Sequence, residues 1–154
     1  DGRGSEIQRL IGRVMRAVVD FKKLGPNTIY LDCDVLQADG GTRTAAINGC
    51  FIAMIDAVNH GLKEKLISET PSKSAVAAIS VGIVKDKAVL DLDYQQDCNA
   101  QVDMNVAMTD SGQFIELQGT GENSTFSDEQ LKKMLTLAKK GIKKILTEQK
   151  NSLK

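Results

Sequence analysis

The chain has 154 residues, a length suited to one ordinary domain, and 42% of them are apolar, enough for a core. Lysine plus arginine and aspartate plus glutamate number 20 each, so whole-chain charge gives no argument for nucleic-acid binding, and any RNA contact needs a local basic patch. No apolar run is long enough to span a bilayer and no basic-then-apolar leader opens the chain, which excludes a transmembrane protein; a start at Asp1 rather than Met leads us to expect a chain that begins inside a longer protein.

The first expected element is a helix over 5–24. Ile7, Leu10, Ile11, Val14, Met15, Val18 and Phe21 share one helical stripe, Ser5 is placed to cap it, and Gly25-Pro26 stops it. A core α+β domain over 28–150 follows. Ile29, Leu31, Cys33 and Val35 alternate with Tyr30, Asp32 and Asp34 as in a strand. Asp39-Gly40-Gly41 turns the chain into a largely buried helix from about Thr42 to about Lys65. Thr70-Pro71-Ser72 is a loop, Val76–Val84 a buried strand, and Lys85-Asp86-Lys87 a hairpin loop into a strand Ala88–Tyr94. Val102–Met108 and Phe114–Gln118 are strands joined by Asp110-Ser111-Gly112, and Gly119–Asn123 is a loop. Ser127 and Gln130 form a capping box ahead of a last helix striped by Leu131, Leu135, Ala138, Ile142 and Ile145. This order implies an α+β fold, a two-layer sandwich of sheet and helices.

Cys33, Cys50 and Cys98 are far apart, odd in number and without a CxxC pair, which points to buried free thiols in a reducing cytosol rather than a zinc site. His60, beside Gly61, reads as a residue of a helix C-terminus rather than a ligand or base.

Three features carry candidate chemistry. Gly40-Gly41-Thr42-Arg43-Thr44 opens a helix: glycines allow close approach of a ligand, the helix start favours an anion, and Arg43 supplies a planar cationic fork. The GxxxxGK[ST] spacing of a P-loop is absent. On its own this stretch suits a Gly turn with a Thr N-cap and a solvated Arg slightly better, because such caps are common. Asp97 and Asp103 flank a short non-alternating stretch between two strands, an arrangement that brings two carboxylates to one cleft for proton transfer or a Mg²⁺-type ion. Asp91 and Asp93 read as ordinary loop aspartates. Arg9, Arg13 and Arg16 recur at helical spacing and suit either an RNA backbone path or a solvated, salt-bridged face.

Glu6–Arg13, Asp32–Ala45, Ala78–Ile83, Val102–Val106 and Glu116–Thr120 closely resemble the ribonuclease PH family, in order and in intervals, across nearly the whole chain. The resemblance implies a ribonuclease PH-like, ribosomal protein S5 domain 2-like fold with a mixed or antiparallel sheet. It further implies a cytoplasmic 3′-to-5′ exoribonuclease that trims tRNA precursors and other RNA 3′ ends with inorganic phosphate, releasing nucleoside diphosphates, in a homohexameric ring built as a trimer of dimers. On this resemblance Gly41, Thr42, Arg43 and Thr44 bind phosphate, Asp97 and Asp103 are catalytic or hold Mg²⁺, and Arg9 and Arg13 touch RNA. Family chains are longer, so these residues correspond to the C-terminal portion of a subunit; the absent N-terminal half supplies another phosphate-binding arginine. Family members usually carry Glu-Asp-Ser where this chain has Gln96-Asp97-Cys98, and a Thr where Gly4 follows Gly2-Arg3. Two other readings compete: a non-catalytic RNA-binding or ring-building subunit of the same fold, as in exosome-like assemblies, and a nucleotide-binding domain resting on the Gly-rich turn alone.

Overall fold

The computed structural model describes residues 2–122 and 124–153; Asn123, expected in a loop, lies outside them. Helix α1 runs Gly2–Ala17, so Ser5 sits inside it and does not cap it. The single helix expected over 5–24 is divided. A short α2, Phe21–Leu24, starts afresh from Asp20, whose carboxylate accepts from the Lys22 and Lys23 N–H groups. The break is held from outside: Asp20 N–H donates to the Pro71 carbonyl at 2.7 Å and Lys73 N–H to the Val18 carbonyl at 2.8 Å, pairing Val19 with Ser72. Phe21, expected on the apolar stripe, is 56% exposed.

In residues 29–35 Ile29 and Leu31 pack on the core and Tyr30 is exposed, but Cys33 and Val35 are exposed as well, so the expected alternation ends at Leu31; among the described residues the run belongs to no sheet. Alternation reports a two-sided environment; a strand also needs a hydrogen-bonded neighbour. Helix α3, Thr42–Lys63, matches expectation, with His60 in its last turn.

Strands β1 (Val76–Val84), β2 (Lys87–Leu90), β3 (Val102–Thr109) and β4 (Phe114–Gly121) form an antiparallel sheet in the order β2-β1-β3-β4. Lys85 and Asp86 both take positive φ, as a two-residue hairpin turn demands, so Lys87 already belongs to β2. β2 ends at Leu90 instead of Tyr94, and a short helix α4, Tyr94–Cys98, follows. Where β2 stops, Asn48 of α3 takes over the neighbouring edge of β1: its side chain bonds both the N–H and the carbonyl of Ala78 at 2.8 Å. β4 continues through Gly119–Gly121, which the sequence suggested as loop.

Helix α5, Asp128–Ser152, opens with the expected Ser127–Gln130 capping box. It covers one face of the sheet, burying Met134, Ala138 and Ile142 against Ile79, Val81, Met104 and Val106. Helix α3, backed by α1, covers the other, with Ile47, Phe51 and Met54 over Ala78 and Ala107. The α+β class holds, and helices on both faces add a third layer to the two expected. β1 is therefore buried on both sides and shows no alternation. Of the cysteines only Cys50 is buried; Cys33 and Cys98 are exposed, contrary to expectation, because their segments lie outside the packed layers. Desolvation, aided by the nearby Cys33 thiol, pushes Cys50 up to about 11, leaving it an unreactive thiol at neutral pH.

Candidate active site

Period-two alternation in β3 builds the floor of a cleft. Val102, Met104, Val106 and Met108 enter the core under α5, so Asp103, Asn105 and Ala107 face the α3 side. Antiparallel register sets Asp103 opposite Thr120 and Asn105 opposite Gln118 on β4, with Gly82 and Ser80 opposite them on β1. Under α3 this face is apolar. Beyond the start of α3 it turns polar and opens as a cleft of about 1150 Å³, lined among others by Glu6, Arg43, Asp97, Asp103, Asn105 and Gln118. Glu6 comes from α1, Arg43 from the first turn of α3 and Asp97 from α4.

Two loops are locked together to bring Arg43 and Asp97 to one cleft. Gly40 packs so closely that a Cβ there would lie 2.0 Å from the Leu92 carbonyl oxygen. Asp39 accepts from its neighbour Gly40 N–H at 2.9 Å and from Tyr94 N–H at 2.7 Å, which fixes the start of α4. Leu92, buried, donates its N–H to Ser80 Oγ at 3.1 Å. Asp93 then caps α4, and Gln96 closes the capping box by accepting from the Asp93 N–H at 3.2 Å. Glutamine serves this position as well as glutamate. Gln96 therefore shapes the helix that carries Asp97.

Among the described residues that line the cleft, the electrostatics centre on Arg43 among carboxylates. Arg43 Nη2 lies 2.9 Å from Glu6 Oε2, and Glu6 Oε1 accepts from Gln118 Nε2 at 3.0 Å. Arg43 Nε and Gln118 Oε1 are buried and have no partner among the described residues. Half-burial raises the pKa of Asp103, and the charges of Asp97 and Glu122 add to the rise; Arg43 and the Met104 N–H oppose it. Asp97 is exposed. Among the described residues no group of three or more His, Cys, Asp or Glu side chains is arranged to hold a metal ion.

The residues expected to act together divide. Arg43, Asp97 and Asp103 share the cleft, whereas Gly41, Thr42 and Thr44 do not line it. Thr44 is buried and its hydroxyl donates to the Gly41 carbonyl at 2.9 Å; Thr42 donates to the Asp39 carbonyl at 3.1 Å and faces the groove beside residues 29–37. Gly41 at the N-cap of α3 offers no side-chain cap, which leaves the first N–H groups of the helix to other acceptors. Neither Arg9 nor Arg13 lines the cleft. Arg9 is exposed, and Arg13 forks onto Glu116 of β4 through bonds of 3.2 and 2.9 Å, tying α1 to the sheet edge. Glu6 and Gln118 were not singled out from the sequence. The available signal was their inclusion in the two segments Glu6–Arg13 and Glu116–Thr120, which meet only in the folded chain.

Two family models match. Residues 1–59 match domain 1 of the 3′ exoribonuclease family and residues 74–141 match its domain 2, so that together they span most of the chain. Among solved structures, rice (Oryza sativa) Rrp46 is similar at a TM-score of 0.74 and 15% sequence identity, over 100% of this chain and 67% of that one. At that identity the likeness is one of fold.

Proposed function

Since the chain belongs to the 3′ exoribonuclease family, we propose that it shortens RNA from the 3′ end by phosphorolysis, with tRNA precursors as substrates and a cytoplasmic ring of six copies as the working form. The observation that carries the reading is the convergence of Arg43, Asp97 and Asp103 on one polar cleft. A ring-building subunit needs no such set, and a nucleotide site resting on the Gly-rich turn leaves the two carboxylates unexplained.

Phosphoryl transfer needs positioning and charge neutralisation more than a covalent nucleophile. Arg43, with the uncapped first turn of α3 beside it, supplies the positive end that seats orthophosphate. A phosphate oxygen attacks the phosphorus of the last phosphodiester. The bond to the 3′ oxygen of the preceding nucleotide breaks, giving a nucleoside diphosphate and an RNA one residue shorter. That leaving oxygen needs a proton. Asp103 is the better donor of the two aspartates, because burial and neighbouring negative charge raise its pKa. Asp97 would hold a magnesium ion, leaving Asp103 as the acid; one carboxylate together with phosphate oxygens suits such a cation. When bound, that ion supplies added charge neutralisation.

The test is incubation of the purified protein with a tRNA carrying a 3′ extension, with and without inorganic phosphate. Nucleoside diphosphates are expected only when phosphate is present. Monophosphates released without phosphate would replace phosphorolysis by hydrolysis, and a scaffold would release neither product.

A further inference from the structure

Glu6 uses both carboxylate oxygens on cleft-lining partners far apart in the chain: Arg43 Nη2 at 2.9 Å and Gln118 Nε2 at 3.0 Å. We propose that Glu6 is a positioning residue that sets the angle of the Arg43 guanidinium, so that the unpartnered Nε edge is held ready for phosphate; this rests on the phosphorolytic reading. A guanidinium is a planar fork with fixed donor directions. Anchoring one Nη leaves the plane little freedom. The Nε that remains is buried and, among the described residues, without a partner, a donor still lacking an acceptor.

The anchor is itself anchored. Glu6 stands one helical turn ahead of Leu10, which is 1% exposed in the core, so the backbone under it is fixed. The Arg13–Glu116 pair fastens the same helix to the same strand farther along. Gln118 offers its amide N–H to Glu6 because a carboxylate only accepts, and this turns its carbonyl oxygen inward, also unpartnered. An ion pair serving stability alone leaves no such unmet donor and acceptor beside it. The side chains of Arg43 and Glu6 are 28% and 40% exposed, so the pair contributes little to folding and its main effect is orientation.

The experiment compares wild type, Glu6→Ala, Glu6→Gln and Arg43→Ala for binding of inorganic phosphate by calorimetry and for KM(phosphate) and kcat in diphosphate release. Phosphate is held by Arg43 in ground and transition states alike, so misorientation shows chiefly in KM. Glu6→Ala is expected to weaken phosphate binding and raise KM about 10-fold, in the range set by a misplaced positioning group, with kcat changed far less. Glu6→Gln, which keeps one acceptor, is expected to recover part of the loss. Unchanged phosphate affinity in Glu6→Ala, with Arg43→Ala still abolishing it, would overturn the positioning role and leave the proposed function standing. Tighter binding in Glu6→Gln would also overturn it, by making Glu6 a competitor of the anion. Absence of Arg43-dependent phosphate binding in wild type would overturn both.

Discussion

The two faces of the sheet are made by alternate residues of the same strands and come out opposite in character. On the α5 face β3 contributes Val102, Met104, Val106 and Met108, all buried, to a core with nothing to titrate. On the other face β3 contributes Asp103 and Asn105, and only from Ala107 onward does α3 cover an apolar surface. One face supplies stability, and half of the other is left open, with an acid whose pKa is raised by its own burial. Chemistry is thus placed one residue away from the core on a backbone the core makes rigid.

Three substitutions sharpen or break this division. The largest effect is expected from Arg43→Ala: kcat/KM for phosphate in diphosphate release should fall about 10³-fold, of order 4 kcal/mol. Its unfolding midpoint should barely move, since the Arg43–Glu6 pair is partly exposed. Activity near wild type would remove Arg43 from the phosphate site. Next is Met134→Ala on the α5 face. Met134 is 0% exposed, and its truncation should cost about 2–5 kcal/mol in denaturant unfolding. The surviving folded fraction should keep its KM for phosphate. A selective change in KM would show that the two faces are not separable.

The smallest effect is expected from Asp103→Asn, read as stability against pH. The folded pKa of Asp103 lies above its unfolded value. The folded state therefore holds the proton more tightly, and stability declines as pH rises from the unfolded value through the folded one. Asparagine removes that penalty. The variant should lose activity yet melt slightly higher than wild type at neutral pH, with the gain vanishing once the pH falls below the unfolded value. A lower melting temperature at neutral pH would mean that Asp103 is a structural residue.

Much of this was legible in the sequence. β3 and α5 follow from period and cap, and β1 and α3 from nearly unbroken apolar runs bounded by turns, because such segments have few other ways to bury their side chains. The break at Val18–Val19 was not, since Val18 continues the stripe and the cause lies in Pro71 and Lys73, more than fifty positions away. The run 29–35 read correctly only at Ile29 and Leu31, which pack on the core, and incorrectly at Cys33 and Val35 and in its pairing, which no residue of the run encodes. In the site, Arg43 and the two aspartates carry their chemistry in their residue type. Thr42 and Thr44 did not join them because their hydroxyls are taken by local carbonyls, a competition common at helix starts. Glu6 and Gln118 stand 112 positions apart, and only the fold makes them neighbours.

At position 40 hydrogen, not carbon, separates two stretches of backbone. The distance from cation to acid in the cleft is thereby gauged by main-chain contact, a dimension that side-chain motion cannot stretch. An alanine there would act as a wedge, prising α4 and its aspartate away from the start of α3 while every group that does chemistry stayed intact.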